Sequence, residues 1–143
     1  MGTLRTKWIA SGLAATAVYL AAAVWLKRSY VEPARPVGER VIRLERPFYE
    51  LVGSNNRVFS VKVPELESLS DTMEQPNRSP FLLYEGTRPL GPGHSDHSEL
   101  VRYGHGRFSH WNRSGFIFSS SDGTNPRYNG RTYWAVIPSP APE

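Results

Sequence analysis

Residues 8–26 read WIASGLAATAVYLAAAVWL, nineteen positions without a charge. This run constrains the chain more than any other feature. At about 1.5 Å rise per residue, a helix of that length crosses most of a ~30 Å hydrocarbon core. Trp8 and Trp25 stand near its ends, Arg5 and Lys7 precede it, and Lys27 and Arg28 follow. Indole rings favour the headgroup boundary and basic side chains snorkel beyond it, so these six residues read as membrane-interface anchors. Two rival readings are a cleavable signal peptide, with Ala21, Ala22 and Ala23 as an A-x-A-like site, and a buried helix of a soluble protein. The run continues through Val24, Trp25 and Leu26, beyond the usual apolar core of a signal peptide, which favours an uncleaved signal-anchor. Basic residues on the two sides nearly balance. The short acid-free tail points to a single-pass protein with the tail in the cytoplasm and the rest outside it, in a bacterial periplasm.

Beyond the anchor, composition excludes more than it assigns. There is no cysteine, which removes disulfides, thiolate catalysis and cysteine-based zinc sites. The net charge is +4, but the basic residues are scattered rather than clustered, as on an ordinary solvated surface. No common nucleic-acid recognition module is present, so no nucleic-acid partner is expected.

The chain reads as an N-terminal tail over 1–7, a transmembrane helix over 8–26, a Pro- and Gly-containing linker over 27–40, a β-rich domain over 41–137 and a Pro-rich tail over 138–143. Phe59, Val61 and Val63 alternate with polar residues after the turn signal Gly53-Ser54-Asn55-Asn56, which predicts a hairpin of 48–52 with 57–63. Residues 64–80 are polar and suit a short helix or an excursion loop. Further strands are expected over 81–84, 106–111, 115–119 and 132–137. Asp96 and Glu99 have capping-box spacing, with Gly104 at the far end, which predicts a two-turn helix. The fold class expected is a single N-terminal transmembrane helix plus a small, mainly antiparallel β domain with one short helix, all-β to α+β.

Residues 81–134 hold eight of the twelve glycines, all four histidines and ten of the seventeen aromatics, so the chemistry is sought there. His94 and His97, with Asp96, are weak metal-ligand candidates for a metal-dependent hydrolase. Their spacing lacks the H-E-x-x-H pattern, and no cofactor is expected. Ser119-Ser120-Ser121-Asp122 and the histidines allow a Ser-His-Asp triad on paper, but no G-x-S-x-G elbow holds one. The loop 119–131 (SSSDGTNPRYNGR) carries turn dipeptides, and its polar side chains can bond their own backbone. It can also present a binding surface. Trp111, Tyr128 and Trp134 offer flat faces, and Asp122, Asn125, Arg127 and Asn129 offer polar contacts to a glycan or a protein.

The pieces GRFSHW, FSSSDG and NPRYNGR resemble a short β-rich segment of bacterial envelope and glycan-pathway proteins, over residues 81–134. The resemblance implies a bacterial source and an accessory role beside catalytic domains, and it carries no assigned activity. The function expected is therefore non-catalytic: an accessory or structural subunit of a larger bacterial membrane complex. Gly12, Ala14, Ala15 and Ala17 would allow close approach to other membrane-protein subunits. The alternative is an envelope glycan-binding module.

Overall fold

The computed structural model describes the backbone of residues 2–31 and 34–140, and the side chains of 14–31 and 34–140. The chain divides into two compact units, Met1–Glu32 and Pro33–Glu143.

The first unit is a helix, α1 (Gly2–Ser29), closed by Lys27 and Arg28 in its last turn, where cations complement the helix dipole. The expected transmembrane segment over 8–26 is corrected here. Among the described residues, no helix is long and apolar enough to cross a membrane. The side chains described for this helix run from residue 14 to residue 29, sixteen residues and about 24 Å of helix, which falls short of a ~30 Å hydrocarbon core. Of the six expected interface anchors, the side chains of Trp25, Lys27 and Arg28 are exposed, and those of Arg5, Lys7 and Trp8 lie outside the described residues.

The second unit is a small β-rich α+β domain with two antiparallel four-stranded sheets and one short helix. Strands β1 (Arg40–Leu44), β2 (Tyr49–Glu50), β3 (Val58–Val61), β4 (Leu82–Glu85), β5 (Arg88–Pro89), β6 (Phe108–Trp111), β7 (Gly115–Ser119) and β8 (Tyr133–Ile137) form sheets ordered β1-β8-β4-β5 and β2-β3-β7-β6. The registers place matching residues side by side. Leu44 and Glu85 flank Tyr133, and Ile42 and Leu83 flank Ala135, in one sheet. Phe59 and Phe108 flank Phe118, and Val61 and His110 flank Phe116, in the other. With a side-chain period of two, these rows share one face of each sheet. The apolar members of both rows merge into a single core. Phe48 sits between the sheets, edge-on to Phe118 and Tyr133 at ring-centroid distances of 5.3 and 5.8 Å.

The expected hairpin forms, with Tyr49 opposite Ser60. The short helix also forms, α2 (His97–Tyr103), capped by Asp96, whose carboxylate accepts from Ser98 N at 2.7 Å, and closed by Gly104 at φ 58°. Its Leu100 packs with Val58 and Ile117, so α2 covers the outer face of the second sheet. The polar stretch after β3 contains a 3-10 helix (Pro64–Leu69) and then runs as a loop back to β4.

Candidate functional site

The site grows from the free edge of β6. On its other side β6 pairs with β7, which leaves a row of backbone donors and acceptors to satisfy. Two loops take that row. In the first, Ser95 N donates to Phe108 O at 3.0 Å and Phe108 N donates to Pro92 O at 3.2 Å. In the second, Asp71 N donates to His110 O at 2.7 Å and Asn112 N donates to Asp71 O at 3.0 Å. The two loops therefore lie one after the other along a single strand, and His94 and Asp71 meet.

His94 Nδ1 lies 2.7 Å from Asp71 Oδ2, and Asp71 Oδ1 accepts from Ser79 N at 2.8 Å. The Asp71 side chain is fully buried, while that of His94 is 32% exposed. An unpartnered buried carboxylate would cost several kcal/mol, so these contacts are what make Asp71 tolerable there. His94 has φ 51°, a left-handed conformation that histidine adopts more readily than most residues. Among the described residues, no hydrogen bond occupies His94 Nε2.

In front of this pair lies an open depression of about 370 Å³. Met73, Pro76 and Asn77 of the loop after Asp71 form one wall, His94, Ser95, Asp96 and His97 another, and Trp111 a third. His97 packs edge-on to Trp111 at 6.3 Å. Hydrogen bonds from the Ser98 backbone and side chain hold the Asp96 carboxyl below the usual carboxylate range. Among the described residues, neither lysine nor arginine lines the depression.

Behind it, His110 is 2% exposed, stacked on Phe116 at 4.0 Å and edge-on to Phe81 at 5.5 Å. Its Nδ1 lies 2.9 Å from Ser79 Oγ. Burial pushes the imidazole down to about 4, against the opposing pull of Asp71 and Glu67. Ser79 pairs with His110 while Asp71 pairs with His94, so the three groups of a serine relay do not converge on one imidazole.

The second expected surface behaves differently. The 119–131 loop is held from within. Glu85, 8% exposed, accepts from Tyr133 Oη at 3.0 Å, Arg131 Nη1 at 3.1 Å and the Ser121 hydroxyl. Burial alone would raise its pKa, but the donors Ser121, Arg131 and Tyr133 outweigh it and lower it. Arg131 also donates to Asp122 at 2.6 Å, which with Thr124 holds Asp122 far below the usual carboxylate range. Asn129 donates to Tyr133 Oη at 2.8 Å, and Asn125 Oδ1 accepts from Arg127 N at 2.9 Å. Arg127 Nε donates to Phe48 O at 2.7 Å, and its guanidinium lies 5.0 Å from the Phe59 ring centre. The internal bonds of Asp122, Asn125, Arg127 and Asn129 account for the loop's polarity, and Tyr128 stands exposed.

Trp111 and Trp134 fall on different sheets and form no common surface. Trp134, 8% exposed, lies on the outer face of β8 between Arg43 and Tyr84, and its indole nitrogen is buried without a partner. Of the residues singled out from sequence, His94, Asp96, His97 and Trp111 come together. Asp71, Ser79 and Asn77 were not singled out, and Met73 stood out only for its helical spacing with Leu66 and Leu69, because the stretch that carries them has no functional motif.

The pair His94 and His97 does not extend to a metal centre. Among the described residues, no group of three or more histidine, aspartate or glutamate side chains is placed to hold a metal ion. Ser119 Oγ, Ser120 Oγ and Ser121 Oγ donate to Arg107 O, Thr124 O and Glu85 respectively, none of them to a histidine.

No family model matches the chain, and no curated protein or solved structure resembles it.

Proposed function

We propose that the second unit is a non-catalytic binding module whose ligand is a neutral saccharide held in the depression beside Trp111. The observation that carries this reading is the depression itself: an indole wall at the end of β6, an open volume of about 370 Å³, and a rim of amide, imidazole and carboxylate groups. Binding sites commonly join apolar aromatic walls to a few convergent polar groups, and a Trp face is well suited to the apolar face of a sugar ring. The charge of the rim argues for a neutral ligand. Asp96 is anionic, Asp71 lies behind His94, and among the described residues no lysine or arginine lines the space, so phosphate or uronate groups would meet repulsion. The accessory-subunit reading rested on docking through the helix and an aromatic face, and the depression beside Trp111 favours the glycan-binding alternative over it.

The test is direct titration of the full chain with neutral oligosaccharides, glucose and N-acetylglucosamine oligomers among them, beside sulfated and uronate-bearing ones. Neutral oligomers are expected to bind, and Trp111→Ala to weaken binding at least about tenfold while thermal unfolding stays cooperative. Binding confined to the acidic oligomers, or unaffected by Trp111→Ala, refutes the proposal.

A further inference from the structure

We infer that His94 is the hydrogen-bond acceptor that selects a hydroxyl of the ligand, and that Asp71 is the positioning residue that makes it one. The inference rests on the saccharide reading of the same depression and adds the chemistry of recognition.

A neutral imidazole carries one N–H and one bare nitrogen, and the partner of the first decides where the second lies. Asp71 Oδ2 lies 2.7 Å from His94 Nδ1. A carboxylate only accepts, so the proton of that contact sits on Nδ1. Nε2 is then left bare on the ring edge away from Asp71, and His94 is one of the residues that line the depression. Asp71 is itself fixed. Its backbone N–H and C=O are bound to β6, and its second carboxylate oxygen accepts from Ser79 N at 2.8 Å. Neither the carboxylate nor the ring can reorient without breaking a buried bond.

Other groups facing the ring do not compete for this role. Asp96 is turned to Ser98, and His97 is packed on Trp111. Ser95 Oγ donates to Pro92 O at 2.9 Å. A ligand group bound by His94 Nε2 must therefore bring its own donor. A sugar hydroxyl stacked over Trp111 provides one, while an ether oxygen or a carboxylate does not. A buried polar group left unpaired by the wrong ligand is a strong discriminator, stronger than a missing apolar contact.

Long-range proton–nitrogen correlation spectra of the labelled full chain at neutral pH read the His94 ring without any ligand. Protonated Nδ1 and bare Nε2 are expected in the native chain. Asp71→Asn, whose amide can donate to Nδ1, is expected to shift the ring toward the opposite tautomer. The same variant is expected to lose roughly tenfold or more in affinity for the neutral oligosaccharide, as is His94→Asn, which keeps a residue tolerant of the left-handed backbone. An oligosaccharide with its hydroxyls O-methylated is expected not to bind. A native ring protonated at Nε2, or at both nitrogens, overturns the role of His94 even if saccharide binding stands. Unchanged affinity in both variants does so too. The expected tautomer with no binding by any neutral oligosaccharide sinks the saccharide reading and the selection role together.

Discussion

His110 is where pH enters the stability of the domain. It lies in the inward-facing row of β6 beside Phe116, where the neighbouring row of the same sheet carries Phe108, and burial pushes its pKa down to about 4. A histidine whose folded pKa is lowered binds protons more readily once unfolded. Its contribution to stability is therefore full above the ordinary imidazole range and is lost as pH falls from about 6.5 toward 4. The loss expected over that window is about 1–3 kcal/mol once partial solvent screening is allowed for. Chemical denaturation at a series of pH values measures it. In His110→Phe the slope across the window is expected to flatten, whatever the variant does to the absolute level through the Ser79 hydroxyl it leaves unpaired. A slope retained in His110→Phe would assign the effect to another group.

At the scale of elements, the 119–131 loop is a brace between β7 and β8 rather than an open binding loop. Its centre is Glu85, which faces inward at the end of β4 beside Tyr133 and is reached by donors from Ser121, Arg131 and Tyr133. Removing one charged partner leaves a mostly buried carboxylate short of donors, so Arg131→Ala is expected to destabilise the domain by about 1–3 kcal/mol. Glu85→Gln combined with Arg131→Ala is expected to cost less than the sum of the two single changes, since the residues form one network. Tyr128→Ala, at the exposed tip, is expected to stay within about 0.5 kcal/mol of the native chain. Thermal and denaturant unfolding of the four variants checks all of these. The acid response has a definite sign. Glu85 and Asp122 have lowered carboxyl pKa values, so the brace stabilises above the ordinary carboxylate range and weakens as pH falls below it.

At the scale of the molecule, the parts legible in the sequence are those set by near neighbours. The alternation of Phe59 and Val61, the glycine turns between strands, and the Asp96 cap with its closing Gly104 all act within a few residues. Which strand joins which sheet was not legible. β1 pairs with β8 across most of the domain, and five-residue strands carry no signal of so distant a partner. β8 hid its orientation as well, because Tyr133, Trp134, Ala135 and Val136 are all buried and the alternation that separates two faces is missing. The candidate site was half legible for the same reason: Trp111 and the histidines stand out locally, while Asp71 reaches them only by docking on the edge of β6. All these long-range pairings fall inside residues 33–143, and so do both apolar clusters. A fragment of those residues therefore carries every strand partner and its own core, and it is expected to fold alone. Its near-ultraviolet circular dichroism is expected to match that of the full chain over the shared aromatics, with one cooperative unfolding transition and unchanged His110-linked pH dependence. A fragment that lacks fixed aromatic signals, or that unfolds without cooperativity, would mean that α1 supplies part of the stability of the β domain.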